Sequence, residues 1–75
     1  MNMTEDDIRM GIRMCLKTAT EAEPVTARKI SKKLRIAFAT VTKYLPSVAR
    51  GVGAHLVRVR EGERGPMSKG YWVKK

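Results

Sequence analysis

Apolar residues along this chain change from a helical repeat to a strand-like alternation, and that order limits the folds it can adopt. Three stretches repeat at helical spacing. Their apolar members are Ile8, Ile12, Cys15, Leu16 and Ala19, then Ile30 and Leu34, then Phe38, Val41, Leu45 and Val48, with Tyr44 at the border of the third stripe. Residues 55–60 are rich in β-branched side chains and partly alternate, as a strand does. The sequence therefore predicts one α+β domain over residues 1–75, with three helices followed by two strands.

Capping residues place the first two helices. Thr4 followed three residues later by Asp7 is a helix N-cap pattern, and it predicts that helix one runs from there to near Thr20. Thr26 has the same capping chemistry and predicts helix two over residues 27–34.

A turn at residues 35–37 separates helix two from helix three, and so short a turn between two helices predicts a helix-turn-helix. Pro46 has no amide hydrogen, so we expect it to kink or shorten helix three. Gly51 and Gly53 are expected to break the helical pattern before the strands.

The last third of the chain predicts a β-hairpin. Residues 62–70 contain three glycines and a proline and are expected to form a loop, with a second strand at residues 71–74. Trp72 is expected to enter the core and pin the hairpin to helix one, whereas His55 is expected to be structural or exposed. Three helices followed by a two-stranded hairpin give a winged helix-turn-helix.

Charge is distributed unevenly over this pattern. Residues 1–23 carry five acids and three bases, a sum of −2, whereas residues 24–75 carry thirteen bases and two acids, a sum of +11. The whole chain has a formal net charge of +9. Because so much positive charge on a compact chain repels itself, the pattern favours a polyanionic partner, and double-stranded DNA fits a helix-turn-helix.

Candidate DNA contacts come from three elements. A recognition helix needs small and hydrogen-bonding side chains on its outward face. On helix three these are Ala39, Thr40, Thr42, Lys43, Ser47 and Arg50. Arg28 and Lys29, at the start of helix two, are expected to contact phosphates. Arg60, Arg64 and Lys69 are expected to lie in the wing, near an adjacent minor groove.

Other functional classes have little support in the composition. One cysteine, Cys15, and one histidine allow neither a disulfide nor an ordinary zinc site, and Cys15 is expected to be an inert buried residue. No catalytic set, glycine-rich phosphate loop or long apolar run is present. We therefore expect a binding protein rather than an enzyme, with no cofactor, no metal and no membrane contact, in the cytoplasm and associated with the nucleoid.

The chain resembles the small winged-helix regulators of fimbrial operons, of the Pap-pilus and plasmid-encoded-fimbriae type. The similarity covers about residues 24–73 and is carried by Pro24-Val25-Thr26, Ile30, Ile36, Val41, Tyr44-Leu45, Gly65-Pro66 and Tyr71-Trp72-Val73. Arg35 stands where that pattern usually has Gly, and Ala37 where it usually has a capping Ser. The resemblance implies a bacterial transcription regulator that works beside a larger regulatory protein.

The leading hypothesis is a sequence-specific double-stranded DNA-binding transcription regulator, with helix three in the major groove. Two alternatives stay open: an excisionase-like architectural DNA-binding factor, and a winged-helix module that binds another protein. The chain length leaves little material for a dimerisation element, so we expect a monomer or a weak homodimer.

Overall fold

A computed structural model describes residues 4–60, 65 and 67–74 of the chain. Its helices are α1 (Glu5–Thr18), α2 (Ala27–Leu34) and α3 (Phe38–Val52). Its strands are β1 (Val25–Thr26), β2 (His55–Arg60) and β3 (Met67–Trp72), which form one antiparallel sheet in the order β1-β3-β2. The described chain is thus an α+β structure with three helices and a three-stranded sheet, which is compatible with a winged-helix-like arrangement.

The core is made by the facing stripes of the three helices. The buried residues that pack together are Ile12, Cys15, Leu16, Ile30, Val41, Leu45 and Ala49. The predicted stripe of helix one is confirmed, with Ala19 also buried and Ile8 half-buried. Gly11 in α1 has a packing role, because a Cβ there would lie 3.0 Å from Leu34 Cδ1 of α2.

Both predicted N-caps are present. The Thr4 hydroxyl accepts from the amide of Asp7 and the Asp7 carboxylate accepts from the amide of Thr4, each at 3.2 Å. The Thr26 hydroxyl accepts from the amide of Lys29 at 3.3 Å, and α2 has the predicted bounds. Thr26 is 1 % exposed, so its cap hydrogen bond satisfies a buried polar group.

The turn between α2 and α3 lies where it was predicted. Arg35 adopts the left-handed conformation, with φ 56°, which explains why glycine suits this position. Ser31 holds the turn, because its hydroxyl donates to the carbonyl of Ile36 and its own carbonyl accepts from the Ile36 amide. Ala37 is the N-cap residue of α3, and its side chain makes no capping hydrogen bond.

Helix three is longer than expected, whereas the predicted break at Gly53 is confirmed. Pro46 does not shorten the helix, which continues to Val52 and includes Gly51. Pro46 removes the helical hydrogen bond to the carbonyl of Thr42, and the helix continues past this single loss. The helix ends at Gly53, whose φ of 69° is a left-handed C-cap conformation.

The hairpin also differs from its prediction. Strand β2 has the predicted range, but β3 begins at Met67, so the expected loop at 62–70 gives way to strand after residue 66. The sheet has a third strand, β1, whose Val25 pairs with Tyr71 and whose Thr26 pairs with Gly70. Gly70 is buried against Val57 and Val59 of β2 and against Pro24, and this close packing, rather than its turn propensity, accounts for the longer strand.

Phe38 and Trp72 were both predicted to be in the core, and neither is there. Phe38 is 52 % exposed instead of buried, because a side chain at the first helical position leans back beyond the packed turns. Tyr71, and not Trp72, packs against the helical core. The register that pairs Leu56 with Tyr71 and His55 with Trp72 gives these pairs opposite faces of the sheet. Trp72 stacks on exposed His55 at a ring separation of 4.5 Å.

Glycine substitutions provide a matched test of this packing. A Cβ at Gly70 would lie 2.4 Å from Val59 Cγ2, so we expect Gly70→Ala to lower the free energy of unfolding by about 1–3 kcal/mol. A Cβ at helical Gly51 meets nothing within 4 Å, so Gly51→Ala should raise it by up to about 1 kcal/mol. Urea unfolding measures both, and an equal response at the two positions would contradict the described sheet packing.

Candidate nucleic-acid interface

A groove of about 320 Å³ lies where the start of α2, the first half of α3 and strand β3 meet, and we call it the central groove. Its polar lining is formed by Thr26, Arg28, Thr42, Ser68 and Lys69. Arg28, Thr42 and Lys69 are three of the predicted contact residues, and they come from three different elements. The fold therefore brings together side chains that lie far apart in the sequence.

The other part of the central groove is apolar. It is formed by Ala27, Phe38, Leu45, Pro46 and Tyr71. Leu45 is buried and Tyr71 half-buried, so they form the base, whereas Phe38 and Pro46 are exposed on α3. The groove thus has an apolar floor with two cationic side chains, Arg28 and Lys69, at its rim.

Thr42 presents acceptor groups at this groove. Its hydroxyl donates to the carbonyl of Ala39 at 2.9 Å, so the hydroxyl hydrogen is used within the helix while the oxygen lone pairs remain available. Pro46 has no amide hydrogen, so the Thr42 carbonyl, four residues earlier, lacks its regular helical donor. Thr42 can therefore accept hydrogen bonds, and its methyl group can make apolar contacts.

Lys43 has a different environment from Thr42. Its Nζ lies 5.4 Å from the centre of the Tyr44 ring, and the guanidinium of Arg9 lies 5.5 Å from the same ring. Arg9 also pairs with Glu5 at 2.9 Å. The exposed Lys43 side chain thus lies over Tyr44 and is absent from the lining of the central groove.

The remaining predicted residues of helix three lie apart from one another. Ala39 and Arg50 are exposed, and neither lines the central groove. Thr40 is half-buried. Ser47 lines a second groove, between α1 and α3, together with Met10 and Arg13 of α1. The helix-three set predicted from the sequence is therefore divided between two flanks of α3.

Lys29 and Arg64 complete the predicted set. Lys29 is exposed at the start of α2, where its amide donates to the Thr26 cap. Arg64 lies outside the described residues.

The β2–β3 hairpin concentrates positive charge on one face. Arg58 pairs directly with Lys69, and Arg60 pairs with Met67. Residues 58, 60 and 69 therefore share one face by strand alternation, and all three are exposed. Arg58 was missed in the sequence analysis, although the period of two that placed Arg60 on a strand also places Arg58 beside it.

Acidic side chains among the described residues lie elsewhere. They are Glu5, Asp6, Asp7, Glu21 and Glu23, in α1 and in the segment that follows it, and none lines the central groove. Over the described ranges, no group of three or more His, Cys, Asp or Glu side chains gathers as a metal site. Burial raises the pKa of the Cys15 thiol, an effect that the positive charge of Lys33 partly offsets.

Comparison with protein-family models, with curated proteins and with solved structures finds no match to the chain. None of the described helices is long and apolar enough to cross a membrane.

The Arg58–Lys69 pair makes a prediction for the unbound protein. Like charges directly opposite each other destabilise a strand pair, so Lys69→Gln should raise the free energy of unfolding by about 0.2–1 kcal/mol at low salt. The gain should shrink as salt screens the repulsion. Urea unfolding at two salt concentrations measures it, with Lys17→Gln on exposed α1 as control. No difference between the two variants would contradict the charge repulsion.

Proposed function

We propose that this chain is a sequence-specific double-stranded DNA-binding protein that regulates transcription, with the architecture of a winged helix-turn-helix. In this proposal α3 enters the major groove, the start of α2 contacts phosphates, and the β2–β3 hairpin contacts the adjacent backbone or minor groove. The chain acts by binding and carries no catalytic role.

The observation that carries the proposal is the convergence of Arg28, Thr42 and Lys69 on one groove that contains no described acid. DNA binding needs bases that position the duplex by its phosphates, next to side chains that contact base edges. Arg28 and Lys69 supply the first and Thr42 the second. Arg58 and Arg60 extend the positive charge along the hairpin.

The size of the molecule can be compared with the length of duplex DNA that it could contact. Its longest extent is 36 Å, which is close to one turn of B-DNA, about 34–36 Å. Ala39 and Thr42 are small exposed side chains of α3 beside which the helix backbone can approach base edges, whereas exposed Phe38 adds bulk at the start of the helix. One copy can therefore span at most about one turn.

A protein-interaction module is the second candidate, and exposed apolar side chains favour it. Met10 is 61 % exposed and Met14 63 % exposed, both on α1. Met10 shares the second groove with Ser47, so a larger regulatory protein bound there would cover that flank of α3 and leave the central groove open to DNA. An architectural, excisionase-like role would differ from transcription regulation by strong bending of the bound duplex.

Salt dependence of binding tests the electrostatic part of the proposal. We expect binding to mixed-sequence duplex DNA to weaken steeply with salt, because each neutralised phosphate releases counterions. Arg28→Gln and Lys69→Gln should each reduce the magnitude of the slope of log K against log salt by about 1. Fluorescence anisotropy measures the slope, and Lys17→Gln should leave it unchanged.

The result that would contradict this part is an equal slope for all four proteins, which would remove Arg28 and Lys69 from the interface. An absence of duplex binding at low salt would remove the whole proposal and favour the protein-interaction module.

Base reading is expected to depend on Thr42 more than on Lys43. Thr42→Val keeps the shape and removes the hydroxyl acceptor, so it should relax the preference at one base-pair position, at a cost of about 1–3 kcal/mol. Lys43→Ala should weaken all sequences evenly, because its amine lies over Tyr44 and outside the central groove, where a phosphate contact is expected of it. Binding of each variant to single-base-pair variants of a selected site distinguishes the two. The reverse pattern would assign base reading to Lys43.

A further inference from the structure

The central groove has an apolar floor that phosphate contacts do not explain. Phosphates bind at cations and hydroxyls and gain nothing from apolar side chains beneath them. Yet Phe38 is 52 % exposed beside Pro46 and Tyr71, so three apolar rings line one concave surface. A ligand with a flat apolar part would cover these rings and contact them by stacking or edge contacts.

Size limits the occupant to a small molecule. The groove volume of about 320 Å³ is at the lower end of the range for ligand pockets, about 300–1,000 Å³. A stable protein interface needs about 800 Å² from each partner, which is far more surface than so small a groove offers. One or two fused rings with a polar group fit the space.

The positive charge at the central groove indicates which polar group the ligand carries. Arg28 and Lys69 lie at the groove, and no acid among the described residues lines it. A carboxylate is a small anion that an arginine binds, as it binds a phosphate, through two parallel hydrogen bonds, with a lysine adding a point charge.

We propose that the central groove binds a small aromatic carboxylate, and that this ligand competes with DNA. The ring lies against Phe38, Pro46 and Tyr71, and the carboxylate lies between Arg28 and Lys69. Competition follows because Arg28, Thr42 and Lys69 belong to both surfaces. This second statement depends on the proposed DNA-binding function, whereas ligand binding does not.

The test uses the full chain without DNA, with 2-naphthoate as the probe and amide NMR shifts as the readout. We expect saturable shifts at Thr42, Lys69 and Tyr71, with a Kd of about 1 mM or tighter, as ligand efficiencies of small molecules allow. Neutral 2-naphthylmethanol should bind several-fold more weakly, and acetate should give no saturable shift at these amides.

Two variants test separately the contacts of the ligand's carboxylate and those of its ring. Lys69→Gln should weaken naphthoate several-fold and leave naphthylmethanol unchanged, whereas Phe38→Ala should weaken both. Both residues are exposed, and a circular dichroism spectrum checks that each variant is folded. Lys17→Gln, an exposed base that lines neither groove, should bind both probes as the parent chain does.

Three outcomes would overturn the ligand site: no saturable shift up to about 10 mM, which is weaker than a ligand of this size requires; equal shifts with acetate; or shifts spread evenly over all basic residues. Naphthoate that binds without displacing bound duplex DNA would overturn the competition alone. Naphthoate binding by a chain that binds no DNA would contradict the proposed function and leave the ligand site standing.

Discussion

The junction at Thr26 is the constraint on which the arrangement of the site depends. This one residue ends β1, pairs with Gly70 of β3 and caps α2 through its buried hydroxyl. A helix that begins directly at a strand has no linker in which its orientation can vary. Arg28, two residues into α2, is therefore held beside β3, and that position brings it to the same groove as Lys69.

The apolar core and the exposed positive charge of the hairpin lie in different parts of the fold. The core belongs almost entirely to the three helices, whose stripes meet at Ile12, Leu16, Ile30 and Val41. The sheet contributes Val25 and Tyr71 to that core, Val73 adds to it just after β3, and the basic residues of the sheet stay exposed. Because Arg58 and Lys69 face each other across the hairpin, the unbound protein retains a repulsion that a polyanion would relieve. Removing one of these charges would therefore stabilise the unbound protein and weaken its binding to a polyanion.

Local chemistry made much of the fold predictable from sequence. Caps at Thr4 and Thr26 depend on residues three positions away, and the bounds of α2 were predicted correctly. Non-local pairing was not predictable in this way. A strand of two residues has no period to detect, and β3 includes Gly70 because Val57, Val59 and Pro24 close around it. Most candidate contacts were named from charge and helical spacing, but the meeting of Arg28, Thr42 and Lys69 required the three-dimensional arrangement of α2, α3 and β3.

Selection from a pool of random duplex DNA across a salt series, followed by sequencing of the retained fraction, tests the central claim most directly. A protein that reads sequence through α3 should enrich one motif of about one helical turn or less, with binding that persists near physiological salt. Weak retention with no enriched motif, lost steeply as salt rises, would show that the positive charge acts without sequence reading and would contradict the proposed regulator.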